Sequence, residues 1–201
     1  EGVQNGIDKF VESCYYIQHE GICAKSAQYV ERGGCAKMLG KFKNMFGKEK
    51  KGDIVGAPIG GKAGAGSEVS DPTFGEEILG KGFAVIPSVG RVVAPVDGTV
   101  GMIFDTKHAV TVTSSTGIEI LIHVGLDTVN LKGAPFTAHA EAGQSVKAGD
   151  LLLEFDIEAI KAAGLEIISP VVICNTMEYK EITADVGKDV KVLDPVLTLE
   201  K

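Results

Sequence analysis

Two of the chain's four histidines stand where an apolar strand pattern gives way to a turn. His123 closes the run Ile118-Glu119-Ile120-Leu121-Ile122-His123-Val124-Gly125, and Gly125-Leu126-Asp127-Thr128 reads as the turn after it. Alternate residues of an extended strand share a face, so Ile120 and Ile122 point one way and Leu121 and His123 the other. His108 lies in Phe104-Asp105-Thr106-Lys107-His108-Ala109, again at the junction of a strand and a turn. Imidazole is neutral and nucleophilic near pH 7, so such a pair suits a zinc site, a general base or a phosphoryl acceptor. Zinc takes three or four protein ligands, and no spacing supplies an evident third. A Ser–His–Asp arrangement stays open, although the sequence has no nucleophile-elbow motif. The phosphate-cradling patterns GxxxxGK[ST] and GxGxxG are absent as well, which argues against an ATP site of its own. Pattern alone favours a hydrogen-bonded core or rim histidine over a reactive one. His19 and His139 read as surface residues.

The elements that must hold these histidines are short strands. Candidates run over 53–58, 83–87, 91–95, 99–104, 109–114, 119–124, 145–146, 151–156, 171–175, 180–182, 189–192 and 196–199, separated by Gly-, Pro- and Asp-rich turns. Helical signals after residue 52 are confined to 73–79 and to 157–163, the latter behind Asp156 as a candidate N-cap. Ala57-Pro58-x-x-Gly61 recurs as Ala94-Pro95-x-x-Gly98, each after a β-branched run. Proline cannot donate to a sheet ladder and glycine accepts positive φ, so each copy ends a strand and turns the chain. The expected fold is all-β: an antiparallel sandwich or distorted barrel carrying a duplicated motif, with a short N-terminal helical appendage.

Residues 1–52 form that appendage, and 53–201 the β domain. Within the appendage, Met38, Leu39, Phe42, Met45 and Phe46 fall on one helical face among Lys37, Lys41, Lys43 and Lys48. A basic amphipathic helix over 37–48 suits peripheral contact with a membrane surface. A helix packed on the domain, or a solvated linker, fits equally well. No apolar run is long enough to span a bilayer, and no secretory signal is visible. Cys14, Cys23, Cys35 and Cys174 then read as reduced cytosolic thiols. The formal net charge of −7 is spread over the chain and argues against nucleic acid as a partner.

Long stretches of the β domain resemble one known family. They are Ala94-Pro95-Val96-Asp97-Gly98-Thr99-Val100, Ile103-Phe104-Asp105-Thr106-Lys107-His108-Ala109 and Ile120-Leu121-Ile122-His123-Val124-Gly125-Leu126-Asp127-Thr128-Val129-Asn130-Leu131-Lys132-Gly133. Val69-Ser70-Asp71-Pro72-Thr73-Phe74, Gly80-Lys81-Gly82-Phe83-Ala84-Val85, Gly143-Gln144-Ser145-Val146-Lys147-Ala148-Gly149-Asp150 and Pro170-Val171-Val172-Ile173-Cys174-Asn175 extend the likeness. The chain thereby resembles the glucose-family enzyme IIA of the bacterial sugar phosphotransferase system, from about residue 53 to about residue 200.

The resemblance implies a phosphocarrier without a required cofactor. His123 would accept a phosphoryl group from phosphorylated HPr through Nε2 and pass it to a cysteine of an enzyme IIB domain. The Gly125 carbonyl would hold Nδ1–H. His108 would be the second active-site histidine, oriented by the Thr106 hydroxyl, and the Asp127 backbone N–H would face the phosphate. Pro72, Thr73, Phe74, Leu79, Phe104 and Leu121 would form an apolar partner-binding disc, with Asp71 and Asp127 on its rim. Phe74 and Phe104 read equally as core residues, whereas Leu121, sharing the face of His123, is expected near the surface. Thr111 stands where the family often has an aromatic residue, which would alter partner preference. The family also implies zinc at His108 and His123 with a ligand supplied by a partner, and regulated transporters or kinases as further partners. Its setting is cytoplasmic.

Free-standing family members begin with a short amphipathic helix, and Met38 to Phe46 looks like such a beginning. Met38 is therefore the expected natural start, with a linker from a preceding transporter domain as the alternative. Two rival classes share the Gly143-x-x-Val146-x-x-Gly149-Asp150 half-motif. Biotin- and lipoyl-carrier domains need a modified lysine at a hairpin tip, and no Met-Lys-Met or Asp-Lys-Ala occurs. Lysostaphin-type zinc endopeptidases need a His-x-His pair, which is also missing.

Overall fold

The computed structural model describes residues 52–201; the expected helix over 37–48, His19 and the cysteines at 14, 23 and 35 lie outside them. The strands are β1 (Asp53–Gly56), β2 (Gly61–Ala65), β3 (Gly82–Pro87), β4 (Arg91–Val93), β5 (Gly98–Ile103), β6 (Ala109–Ser114) and β7 (Glu119–His123). They continue as β8 (Phe136–Ala138), β9 (Ser145–Val146), β10 (Leu151–Phe155), β11 (Ser169–Ile173), β12 (Glu181–Ala184), β13 (Lys188–Val190) and β14 (Pro195–Glu200). Two short helices interrupt them, α1 (Pro72–Gly75) and α2 (Ile157–Ala162). Asp71 caps α1 by accepting Thr73 N–H at 2.7 Å, and Asp156 caps α2 by accepting Ala159 N–H at 3.0 Å.

All pairings are antiparallel. An eight-stranded sheet runs β13-β2-β3-β11-β7-β6-β5-β9, and two three-stranded sheets run β1-β14-β12 and β4-β10-β8. Residues of all three enclose one core: Val55, Leu197 and Leu199; Val92, Leu152 and Leu153; and Phe83, Val85, Val110, Val112, Ile120, Ile122, Val171 and Ile173. The period-two pattern of the large sheet sends the intervening residues to its opposite face. There Ala84, Ala109, Leu121 and Val172 meet Val69, Phe74, Leu79, Leu126 and Cys174 in a second apolar cluster. The α1 segment is thus a cover for the outer face of the sheet that carries His123.

Strands β2 and β8 lie outside the strands expected from the sequence. Gly-Lys-Ala-Gly-Ala has no β-branched or aromatic residue, and its pairing with β3 depends on close approach instead. A Cβ at Gly61 would lie 2.1 Å from the Ile86 carbonyl oxygen, so only glycine lets the two backbones meet there. The helix expected over 73–79 is a single turn that ends at Gly75. Thr111 is buried, and its hydroxyl accepts Met102 N–H at 2.8 Å, stitching the irregularity where the β5–β6 register shifts. Its polarity therefore serves the sheet.

The repeated Ala-Pro motif marks a duplication with a shared bonding scheme. Ala57 donates to the Asp194 carbonyl and accepts Leu193 N–H, both at 2.9 Å. Ala94 does the same with Asp150, at 2.8 Å, and Gly149, at 2.9 Å. Each partner loop carries the same aspartate-closed turn: Asp150 accepts Lys147 N–H at 2.8 Å, and Asp194 accepts Lys191 N–H at 2.7 Å. Positive φ occurs at Gly149 in one and at Leu193 in the other. The Gly143–Asp150 stretch thus has a structural twin in 187–194.

Ile120 is fully buried between Val112 and Ile173 of the neighbouring strands. Ile120→Ala is expected to lower unfolding free energy by about 2–5 kcal/mol. Urea denaturation should show this as a lower midpoint at unchanged slope.

Candidate active site

His123 is the last residue of β7, paired with Ala109 of β6. His108 immediately precedes β6, and its carbonyl accepts Val124 N–H at 2.8 Å, so the ladder continues past both histidines. The two imidazoles therefore come from adjacent strand ends. Their ring centroids lie 4.8 Å apart with planes inclined by 81°. Phe104 meets His108 edge-on at 5.4 Å, and Phe74 of α1 lies 5.1 Å from the His123 ring.

Each ring is oriented through Nδ1. His123 Nδ1 lies 2.8 Å from the Gly125 carbonyl oxygen. That oxygen can only accept, so Nδ1 carries the hydrogen and the lone pair of the neutral ring resides on Nε2. His108 Nδ1 lies 2.5 Å from the Thr106 hydroxyl, which can donate or accept.

Gly125 has φ 68°, and a Cβ there would lie 2.7 Å from Thr128 Cγ2 and 2.8 Å from the Glu166 carbonyl oxygen. Glycine is thus required both by the left-handed backbone and by lack of space. Thr128 is fully buried and donates to the Val124 carbonyl at 2.6 Å, closing the loop from below. Asp127 follows in a left-handed conformation with an exposed side chain.

Both histidines are neutral at physiological pH. Burial, with a smaller contribution from the neighbouring His123, lowers the His108 pKa to about 3. Burial likewise lowers that of His123 to about 4, opposed in part by the bond to Gly125. His123 is 8% exposed and His108 4%. The site thus pairs two uncharged, geometrically fixed rings in an apolar setting, one of them with a nucleophilic Nε2.

The structure brings His108, His123, Thr106 and Gly125 together, with Asp127 two residues beyond Gly125. It divides the expected disc. Pro72 is exposed, and Asp71, Thr73 and Phe104 are half-buried. Leu121, expected near the surface, is 0% exposed; it shares the face of His123 as the alternation required, but α1 covers that face. Phe74 and Leu79 are buried in the same cluster, and Phe74 packs against the His123 ring.

Ser169, a fully buried hydroxyl at the start of β11, is not among the residues expected from the sequence. It accepts Gly125 N–H at 3.2 Å and donates to the Ile167 carbonyl at 2.8 Å. Its signal was available: a lone hydroxyl within Ile167-Ile168-Ser169-Pro170-Val171-Val172-Ile173 needs a buried partner. His139 Nε2 is hydrogen-bonded to Glu154 Oε2 at 2.8 Å, away from this site. A groove of about 1110 Å³ between Val89, Arg91, Leu131, Phe155 and Ile157 also lies apart, and neither His108 nor His123 lines it.

Among the described residues no cluster of three or more His, Cys, Asp or Glu side chains is arranged to hold a metal. The histidine pair offers two nitrogens where zinc takes three or four protein ligands. Among the described residues, none completes such a site. No helix among the described residues is long and apolar enough to cross a membrane.

Fold and site together define an antiparallel β-sandwich that presents an oriented, uncharged histidine pair. Residues 53–179 match the family described as phosphoenolpyruvate-dependent sugar phosphotransferase system, EIIA 1. The PTS system glucose-specific EIIA component of Oceanobacillus iheyensis is 45% identical over 156 residues, covering 76% of this chain and 92% of that protein. The PTS system beta-glucoside-specific EIIBCA component of Bacillus subtilis is 53% identical over 127 residues, which are 63% of this chain but 21% of that relative's length. Among solved structures, glucose permease IIA from Mycoplasma capricolum superimposes with a TM-score of 0.69 at 36% identity, covering 76% of this chain and 98% of that one. The chain belongs to the EIIA family of the phosphoenolpyruvate-dependent sugar phosphotransferase system.

The lowered pKa values fix the sign of the acid response. As pH falls below about 6.5, the unfolded chain protonates its histidines while the folded one resists. The stability these groups support is complete above that pH and declines toward pH 4 for His123 and pH 3 for His108. Imidazole resonances followed by NMR should show both rings neutral at pH 6; a midpoint near 6.5 for His123 would contradict this.

Proposed function

We propose that the protein is a phosphocarrier in which His123 accepts a phosphoryl group from phosphorylated HPr and passes it to the cysteine of an enzyme IIB domain for sugar uptake. The observation that carries this reading is the hydrogen bond from His123 Nδ1 to the Gly125 carbonyl, which leaves the lone pair on Nε2. Nε2 forms the new N–P bond while the bond from phosphorus to the donor breaks, its electron pair leaving with the donor. The ring then bears positive charge, and the Gly125 carbonyl stabilises it through the retained Nδ1 proton. Donation to the IIB cysteine reverses these roles, with the imidazole as leaving group and the thiolate as nucleophile.

Phosphoryl transfer depends on positioning and charge stabilisation more than on covalent help. If the Thr106 hydroxyl donates to His108 Nδ1, the proton of His108 stands on Nε2, as an N–H donor for phosphoryl oxygens. The Asp127 backbone N–H is a second donor in this reading. Pro72, Thr73 and Phe104 offer partly exposed contact surface, with Asp71 and Asp127 as the acidic rim. A IIB partner is supported by relatives whose names join EIIA to EIIB and EIIC, such as the EIIBCA component of Bacillus subtilis. The transfer takes place at the cytoplasmic face of the membrane, where 37–48 is the segment proposed for peripheral contact. Residues 53–201 act as the carrier domain. Zinc at the pair would take its remaining ligands from a partner, and no step of the transfer depends on it.

Incubation with enzyme I, HPr and phosphoenolpyruvate should add the mass of one phosphate, and His123→Ala should abolish the increment. An increment that survives His123→Ala would overturn the assignment. Because the pKa of His123 lies at about 4, the rate of phosphoryl acceptance should be flat from pH 8 to about pH 5, once HPr's own titration is subtracted.

A further inference from the structure

We propose that Ser169 is a positioning residue for His123, acting through Gly125. The two residues lie on neighbouring strands: β11 pairs with β7, and Ser169 opens β11 just beyond the last paired residue, Val171 opposite Ile122. The 166–169 segment binds the Gly125 turn at two successive points. Ser169 Oγ accepts Gly125 N–H at 3.2 Å, and the Glu166 carbonyl accepts Leu126 N–H at 2.9 Å. The first bond orients the peptide before Gly125 and the second the peptide after it. The carbonyl of that second peptide is the one that receives His123 Nδ1–H at 2.8 Å.

This anchoring answers a specific need. Gly125 occupies the left-handed region at φ 68°, and glycine has the widest choice of backbone conformations of any residue. Left unpinned, its carbonyl would have several directions available. Ser169 is 0% exposed, and its own hydrogen goes to the Ile167 carbonyl at 2.8 Å, which aims an oxygen lone pair at Gly125 N–H. A further bond, from Ser70 Oγ to Glu166 Oε1 at 3.0 Å, ties the same segment to the loop that enters α1, whose Phe74 packs against the His123 ring. The hydroxyl thus helps to fix the turn whose Gly125 carbonyl selects the protonated nitrogen of His123. Removing it strands a buried N–H, and the turn can recover that bond only by rotating the peptides on which the Nδ1 acceptor depends.

The kinetic part of this inference rests on the phosphocarrier reading of His123, whereas the tautomer part does not. The test is long-range ¹⁵N–¹H NMR of the imidazoles in the unphosphorylated full chain, for wild type, Ser169→Ala, Ser169→Cys and Ser169→Thr, with far-UV circular dichroism as the fold control. Wild type should show His123 almost wholly as the Nδ1–H tautomer. Ser169→Ala should shift the tautomer ratio by about tenfold toward Nε2–H, the size of one net hydrogen bond. Ser169→Thr, which keeps the hydroxyl, should restore it. Initial rates with phosphorylated HPr should then fall by a similar factor in kcat with KM little changed. A folded Ser169→Ala protein with an unaltered His123 tautomer overturns the proposal. If that variant does not fold, Ser169→Cys, nearly isosteric but a poor acceptor, is judged by the same criterion. A shifted tautomer with undiminished phosphoryl acceptance upholds the positioning role and refutes the reading of His123 as the acceptor.

Discussion

The hydrogen bond between His123 Nδ1 and the Gly125 carbonyl spans two residues of sequence, yet much of the domain is arranged around it. A strand-end imidazole exchanges readily between two neutral tautomers unless an acceptor selects one. Here the acceptor belongs to the turn that immediately follows the strand, so ring and acceptor share one rigid unit. The turn closes so tightly because Gly125 accepts a left-handed backbone and leaves room for Thr128 and the Glu166 carbonyl. Burial supplies the other half of the constraint. It holds the ring uncharged down to about pH 4, so that the lone pair stays on Nε2.

The large sheet provides two faces with different duties. Its inner face, through Ile120, Ile122, Val110, Val112 and Val171, is committed to a core shared with both smaller sheets. Its outer face carries Leu121 and His123 on the same strand, and the turn containing Phe74 covers it. The His123 ring therefore lies at the margin of an apolar cluster, where burial keeps it neutral although it is 8% exposed. The paired Ala57 and Ala94 loops, with their matching aspartate-closed turns, rigidify the framework by the same device used twice. The separation of the two histidines is set elsewhere, by the pairing of β6 with β7 and the bond from Val124 N–H to the His108 carbonyl.

Strand periodicity made most of this legible. Alternation in Ile118–Val124 placed His123 and Leu121 on one face and Ile120 and Ile122 on the other, as the structure has them. Solvent exposure was a different matter, because periodicity identifies a face but not what covers it. Val69, Phe74 and Leu79, on α1 and its flanks and distant in sequence, cover Leu121. The Gly61–Ala65 strand escaped notice because backbone approach, rather than side-chain packing, holds it to β3. Ser169 was missed for a related reason: one hydroxyl in an apolar run announces a need for a partner, and only the tertiary fold names Gly125 as that partner. The histidines themselves were visible, but their residue types alone pointed more to structure than to chemistry. Long matched motifs on either side carried the functional reading.

On the proposed phosphocarrier reading, the Gly125 carbonyl dictates which nitrogen of His123 accepts the phosphoryl group. The most direct measurement is ³¹P–¹⁵N coupling in the phosphorylated protein with ¹⁵N-labelled histidine. Phosphorus coupled to Nε2 of His123, with Nδ1 still protonated toward Gly125, is the predicted result. Phosphorus on Nδ1, or on His108, would contradict it.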